Sequence, residues 1–310
     1  MGTKEKQRLS KIYKESKLKL PYTEWSFVRR FWTFQNERIP LLAMAAVALS
    51  LTTAVTKLHG NFGWPLVLIA SAMVVLYFLQ IRLADEPKDF EHDNKYYPHR
   101  PVQRGLITLK ELAQLKNGVI GSFLLLGVLT GSWVVVLLAI FQQFYSFLTR
   151  QEFFMRDWLR RHFLTYQFSH YVQLFILAWL ILTVLEVQPL AERFVYFVYA
   201  MLMIGMVEAS RTIGGEDKRA AKDRYSYRLG MGLALSSFVA FTLAVTGYTV
   251  FLIDRTAKDL QWAVLALGLL VITVSIIKYM QQPTTKSAEL MNAASLVMYL
   301  SSAITLLLSA

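Results

Sequence analysis

The 310-residue sequence contains no cysteine. This absence excludes disulfide scaffolds, thiolate nucleophiles, cysteine-ligated zinc and iron–sulfur clusters. Charged residues are also scarce, since they make up 17% of the chain, whereas soluble domains have about 25%. Hydrophobic residues make up 55%. This balance excludes a soluble globular enzyme and indicates a membrane protein.

Nine apolar stretches are long enough to cross a membrane, because a helix needs about 20 residues to span the hydrocarbon core. They lie at roughly 39–57, 65–86, 109–129, 132–149, 163–185, 191–211, 228–252, 260–279 and 288–309. The predicted fold class is therefore all-α and polytopic, with a nine-helix membrane domain over residues 39–310.

Residues 1–38 form a separate basic segment ahead of the first stretch. Its apolar side chains recur at helical spacing, at Leu9, Ile12, Tyr13, Ser16 and Leu20. The lysines fall between these positions, which indicates a cytoplasmic helix lying on an anionic membrane surface. A disordered basic tail is the alternative.

The distribution of Lys and Arg predicts the orientation of the chain. If the N-terminus is cytoplasmic, all but four of the 33 basic residues fall on the cytoplasmic side. The four exceptions are Lys57, Arg193, Arg255 and Lys258. The positive-inside rule therefore predicts nine spans in a cytoplasmic (inner) membrane, with the N-terminus inside. Topology explains the net charge of +12, so nucleic acid is not expected as a partner.

Acidic residues gather at two cytoplasmic helix exits. The first group, which follows Arg82, contains Asp85, Glu86, Asp89, Glu91 and Asp93. The second group comes four spans later and contains Glu208, Glu216, Asp217 and Asp223, with Arg211 and Lys218 among them. This recurrence hints at an internal pseudo-repeat.

The spacing of Asp85, Asp89 and Asp93 places three carboxylates on one helical face. Clustered carboxylates repel each other, and a hard divalent cation relieves that repulsion. Mg²⁺ suits such ligands together with phosphate oxygens. Pro87 is expected to end or kink the helix. A solvated acidic loop beside basic neighbours is the alternative reading.

Two arginines follow the first acidic group in the stretch Pro98-His-Arg-Pro-Val-Gln-Arg-Gly105. Arg100 and Arg104 can each grip diphosphate oxygens with two hydrogen bonds. Acids that are followed closely by arginines suit a metal-bridged anion.

The stretch from Asp85 to Gly105 resembles the first aspartate-rich motif of the UbiA superfamily of intramembrane prenyltransferases. That motif is Asn/Asp-xxx-Asp-xxx-Asp, followed by Arg-Pro and a second basic residue before glycine. The segment 208–230 lies where the family carries its second motif, although Glu208 stands where Asp is usual and Asp85 stands where Asn is common. The resemblance covers nearly the whole chain.

The resemblance implies nine helices around a central cavity and chemistry on an isoprenyl diphosphate. Arg100 and Arg104, together with two Mg²⁺ ions, would stabilise the charge on the leaving diphosphate. A lipophilic, aromatic acceptor would then capture the allylic cation, and membrane lipid would surround the site. The implied metal ligands are Asp85, Asp89, Asp93, Glu208, Glu216, Asp217 and Asp223. The residues expected to bind substrate are Arg82, Gln142, Tyr145, Arg150, Arg211 and Lys218.

Three of these substrate-side residues, Gln142, Tyr145 and Arg150, lie in or just after the fourth span. Aromatic faces stabilise cations, and one of the glutamines at 142 and 143 is expected to face a polar cavity. The alternative for the aromatic residues is an interfacial belt.

Four functions fit the pattern. The leading hypothesis is a Mg²⁺-dependent prenyltransferase, and the second is a terpene cyclase that ionises the same donor and cyclises it. A secondary transporter is disfavoured because the acidic residues gather at helix ends instead of the bilayer midplane. The fourth is a non-catalytic scaffold derived from the enzyme fold.

Overall fold

The structure, a computed structural model, describes residues 3–60, 63–211, 213, 230–253 and 259–309. Within these ranges the chain is all-helical and contains no β-strand.

Nine long helices are apolar enough to cross a membrane within the described ranges. They are α3 (Leu41–His59), α4 (Trp64–Tyr96), α5 (Leu109–Leu129), α6 (Trp133–Arg150), α8 (Phe163–Val184), α9 (Leu190–Arg211), α10 (Met231–Leu252), α11 (Asp259–Gln281) and α12 (Thr285–Ser309). The short helix α7 (Arg156–Arg161) precedes α8. The predicted spans are confirmed, because each apolar stretch coincides with one of these helices.

The N-terminal segment is folded onto the protein. It contains α1 (Thr3–Glu15) and α2 (Phe27–Arg38). Ile12 is 1% exposed, and Leu9 and Tyr13 pack beside it in the same apolar core. The part of the predicted apolar face that lies in α1 therefore packs against other helices of the chain, whereas Leu20, beyond the end of α1, is 77% exposed.

Helix α4 runs about ten residues beyond the apolar stretch that predicted it, and it continues through Pro87. Of the two outcomes expected at Pro87, an end or a kink of the helix, the end is wrong. Proline removes one hydrogen bond of the helical ladder, and acids of α4 make ion pairs on both sides of it. Arg82 bonds Glu86 just before the proline, and Asp93 bonds Arg100 after it.

Local signals explain where the next helices begin. The hydroxyl of Thr108 caps α5 by accepting from the backbone N–H of Glu111, whose carboxylate accepts from the backbone of Thr108 in return. Ser132 caps α6. Gly131, which has a φ of +72°, makes the tight turn between the two helices.

The chain forms two compact units. One unit comprises residues 1–48 and 68–184, and the other comprises residues 49–67 and 185–310. Phe34, Phe90 and Leu106 lie in the apolar core of the first unit. Tyr199 and Phe238 lie in that of the second. The N-terminal segment and the first acidic group both belong to the first unit.

Candidate functional site

The three predicted aspartates lie four residues apart on one continuous helix, α4. Asp93 is buried, whereas Asp85 and Asp89 are half-buried. Asp85 and Asp93 are both close enough to Asp89 to repel it electrostatically. The structure thus brings the predicted carboxylates onto one face.

Asp93 is held by two arginines. Arg100 donates from Nη1 to Asp93 Oδ1 at 2.5 Å, and Arg38 Nη2 lies 3.6 Å from Asp93 Oδ2. Arg100 also lies over the ring of Tyr97, 3.9 Å from its centroid. An arginine predicted to bind diphosphate is therefore paired with a carboxylate predicted to bind metal.

Glu86 is a further buried acid at this site, and the sequence reasoning did not assign it a role. Its side chain is 0% exposed. Its Oε1 accepts from Arg82 Nη2 at 2.6 Å and from Arg38 Nε at 3.0 Å. Arg82, which was predicted to bind substrate, is thus paired with Glu86.

The separation of these residues along the sequence predicts part of this arrangement. Arg82 and Glu86 are four residues apart, which favours an ion pair on a helix. Glu86 and Asp93 are seven apart and lie on the same side of the helix. The role of Arg38 has no local signal, because Arg38 is 48 residues from Glu86 along the chain.

The donor types of this site fit a hard cation. Glu86 Oε2 and Asp93 Oδ2 are buried and have no hydrogen-bond partner, and carboxylate oxygens are ligands that Mg²⁺ prefers. Among the residues that the structure describes, however, no three acidic or histidine side chains form a group that could hold a metal ion. Asp93 is turned toward arginine. The metal ligands therefore remain a prediction.

Lys88 connects the charged residues of α4 to the turn that follows α6. Its Nζ lies 3.2 Å from Glu152 Oε1 and donates to Tyr166 Oη at 2.9 Å. Glu152 is 3% exposed and begins a turn in which three consecutive residues have φ of 49°, 53° and 59°. Such values are unfavourable for residues with a Cβ. The sequence carried no signal for this turn.

The second predicted arginine, Arg104, contacts α2. It donates from Nη1 and Nη2 to the two carboxylate oxygens of Glu37, at 2.7 and 2.6 Å. These hydrogen bonds raise the pKa of Arg104. In this arrangement Arg100 contacts an acid of the motif and Arg104 fastens the N-terminal segment.

Helix α6 carries two glutamines into a polar network. Gln142 is buried and donates from Nε2 to the backbone oxygen of Gln173 at 2.9 Å. Gln143 accepts from Gln80 Nε2 at 2.7 Å. One amide atom on each of Gln80, Gln142 and Gln143 is buried without a partner. The amide atoms without a partner can therefore form hydrogen bonds with a polar group of a ligand.

The other predicted substrate-side residues lie on the same helix. Tyr145 donates to the backbone oxygen of Ser169 at 3.0 Å. Arg150 is half-buried and donates from Nε to the backbone oxygen of Ser146 at 3.2 Å. Lys116 is near enough to Arg150 to repel it. No acidic side chain of the described ranges forms an ion pair with Arg150, so this cation is available to an anion.

The second predicted group is described only at its beginning. Arg211 donates from Nη1 to Glu208 Oε1 at 2.6 Å in the second unit. Glu216, Asp217, Lys218 and Asp223 lie outside the described residues.

Solved structures show what this fold resembles. No protein-family model matches the chain, and no curated protein matches it. The apo structure of a UbiA homolog from Aeropyrum pernix K1 matches with a TM-score of 0.56 and 16% identity, over 82% of this chain and 94% of that one. The chain has the UbiA fold. A structure of digeranylgeranylglyceryl phosphate synthase also matches, with a TM-score of 0.51 and 13% identity, over 90% of this chain and 99% of that one.

The likeness to the UbiA homolog confirms the all-helical membrane fold that the resemblance implied. At these identities it concerns the fold, and the roles of individual residues rest on their own chemistry. Within this fold, α4 carries the first acidic group and the end of α9 carries Glu208.

Proposed function

We propose that this chain is an intramembrane prenyltransferase that transfers the prenyl group of an isoprenyl diphosphate to a lipophilic, aromatic acceptor. One observation carries the proposal. On a UbiA-type fold, the carboxylates of α4 lie in direct contact with Arg82 and Arg100. Carboxylates beside arginines are the groups needed to bind a metal-bridged diphosphate.

The proposal includes Mg²⁺. Asp85, Asp89 and Asp93 would hold one ion. Glu208, together with Glu216, Asp217 or Asp223, would hold a second. When bound, Mg²⁺ would supply positive charge to the diphosphate oxygens. The buried Oδ2 of Asp93, which accepts no hydrogen bond, supports this assignment.

Arginine side chains would bind and orient the diphosphate. Arg100 would turn from Asp93 to the diphosphate oxygens, joined by Arg104, Arg150 and, from the second acidic segment, Arg211 and Lys218. These cations stabilise the negative charge that develops on the leaving group. The carbon–oxygen bond breaks, its electron pair leaves with pyrophosphate, and the acceptor captures the allylic cation and then loses a proton.

The surroundings of the reaction would be apolar. The prenyl tail would lie among the membrane helices, away from water, and Tyr145 and Gln142 would line the acceptor side. The distribution of basic residues supports a cytoplasmic-membrane location with the diphosphate site at the cytoplasmic face.

The proposal is tested by following pyrophosphate release from purified protein in nanodiscs, with Mg²⁺ and isoprenyl diphosphates of several lengths. The products are extracted and identified by mass spectrometry. Release that requires added membrane lipid extract, with a prenylated lipid as product, is the expected result. A hydrocarbon product formed without any acceptor would instead identify a cyclase. Absence of release with every donor, with and without extract, would contradict both activities.

A further inference from the structure

Arg38 is a cation that the N-terminal segment brings to the acids of α4. It is the last residue of α2. Its Nε donates to Glu86 Oε1 at 3.0 Å, and its Nη2 lies 3.6 Å from Asp93 Oδ2. Arg38 thus bridges two carboxylates that are two helical turns apart.

Both carboxylates need such a partner because they are buried. The side chains of Glu86 and Asp93 are 0% and 2% exposed, and an ionised carboxylate out of water is costly unless it is paired. Arg82 and Arg100 pair with one acid each. Arg38 contacts both.

Hydrogen bonding around this triad is incomplete. Glu86 Oε2, Asp93 Oδ2 and Arg38 Nη2 are all buried and lack a hydrogen-bond partner. Buried polar atoms are normally satisfied. Arg38 Nη2 and Asp93 Oδ2 face each other at 3.6 Å, which is an ion pair but too long for a hydrogen bond. Glu86 Oε2 and Asp93 Oδ2 therefore keep lone pairs that a closer positive group would engage.

Several contacts hold the N-terminal segment in place. Arg30 donates to both carboxylate oxygens of Glu111, at 2.9 and 2.6 Å. Further contacts join Arg8 to Glu91, Ser16 to the backbone of Leu109, Lys19 to Gly105, and Glu37 to Arg104. Arg38 therefore contacts α4 from a segment whose two ends are both bonded to the rest of the first unit.

We propose that Arg38 is a positioning residue that acts as a built-in counter-cation for Glu86 and Asp93, and that a divalent cation takes over this role when the guanidinium is removed. The inference rests on the proposed function only in placing a cation beside α4. Its test measures stability, so a failed test is distinguishable from absence of prenyl transfer.

The test is the thermal unfolding of purified, detergent-solubilised Arg38→Met, with MgCl₂ or CaCl₂ titrated at constant ionic strength. Methionine keeps much of the apolar length and removes the charge. We expect a lower Tm without divalent cations, and recovery as the cation binds. The cation concentration giving half of the recovery should be about tenfold lower than that of any response in the wild type, within the usual range of coupling between two sites.

Two further variants serve as controls. Arg38→Lys keeps the charge and should show the cation response of the wild type. Arg30→Met removes a matched arginine from the same helix, but its partner is the single carboxylate of Glu111, so its loss of stability should not respond to cations. Equal cation recovery in Arg30→Met and Arg38→Met would overturn the proposal, as would no recovery in Arg38→Met.

If Arg38→Met does not fold, a second variant tests whether Arg38 acts as a counter-cation. Arg38→Met combined with Glu86→Gln removes one charge of each sign and should restore folding without divalent cations. A double variant no more stable than Arg38→Met would contradict the role of Arg38 as a counter-cation.

Discussion

At the scale of single residues, the charged side chains of the site differ in how fully they are paired. Asp93 and Glu86 each contact two arginines, and breaking such a buried pair costs about 3–5 kcal/mol. Arg150 is half-buried, and no acidic side chain in the described part of the chain pairs with it. A cation kept in that state lowers stability, so we expect it to be retained for binding.

Replacement of Arg150 tests this expectation. Arg150→Met should leave the Tm unchanged or raise it, because the variant no longer holds a poorly solvated charge. It should raise the KM for the diphosphate donor at least about tenfold, since hydrogen bonds to a charged group contribute about 1.5–3 kcal/mol. Steady-state kinetics and thermal unfolding measure the two effects.

The matched control is Arg161→Met, which removes an exposed arginine that bonds the backbone of Asp157. Arg161→Met should change neither the Tm nor the KM for the diphosphate donor. An unchanged donor KM in Arg150→Met would remove Arg150 from the diphosphate site.

The sequence could predict which acids share a face of α4, because that property depends on local helical periodicity. It could not predict the partners of those acids. Arg38 and Glu86 are 48 residues apart, and Arg104 and Glu37 are 67 apart, so each pairing depends on tertiary structure. Placement of Glu216, Asp217, Lys218 and Asp223 stays a prediction.

At the scale of elements, the N-terminal segment and the loop after α4 form one packed assembly. Gly105 lies where the loop and the segment are close together. It has a φ of +79°, and a Cβ added there would lie 2.6 Å from Lys19 Cγ and 2.8 Å from the backbone oxygen of Lys17. The loop therefore needs glycine both for its backbone conformation and for this contact.

Gly105→Ala should accordingly loosen the N-terminal segment. We expect a loss of about 1–3 kcal/mol beyond the cost of the backbone strain alone, as for other overpacked sites. Faster proteolysis at Lys17 and Lys19 should accompany this loss. Limited proteolysis and thermal unfolding are the measurements.

Gly131→Ala is the matched control, because Gly131 has a φ of +72° but no atom within 4 Å of an added Cβ. It carries similar strain without the clash. Equal losses in the two alanine variants would show that packing against the segment does not matter.

Hydropathy predicted the elements well because each membrane helix is longer and more apolar than its surroundings. It underestimated the length of α4, because the part of this helix that begins at Pro87 is rich in charged residues. Those residues are helical and make ion pairs with residues outside α4, which hydropathy does not describe. The docking of α1 was also missed, since an apolar helical face can pack on lipid or on protein.

At the scale of the whole molecule, the nine apolar helices of the described residues and the strong bias of basic residues imply opposite sides for the two ends of α11. Asp259, the first residue of α11, and Lys286, just beyond its other end, are both exposed. The positive-inside rule places Lys286 in the cytoplasm and Asp259 outside. The absence of cysteine from the chain makes a single introduced thiol a clean reporter.

A membrane-impermeant thiol reagent should therefore label Asp259→Cys in intact cells and Lys286→Cys only after permeabilisation. The wild type, which has no thiol, is the control for background labelling. Labelling of Lys286→Cys in intact cells would reverse the predicted orientation and place the acidic site on the opposite face.

The central claim is that the acids of α4 take part in ionising an isoprenyl diphosphate. Asp89 is the aspartate to change, because it lies midway between the other two on the same face. The measurement is Mg²⁺-dependent pyrophosphate release by Asp89→Asn, beside the wild type and Asp157→Asn, which alters an exposed aspartate of α7. The account predicts that Asp89→Asn folds normally and loses turnover by at least about a hundredfold, the scale of removing one charge-stabilising group, while Asp157→Asn keeps full activity. Full turnover by Asp89→Asn would contradict the claim.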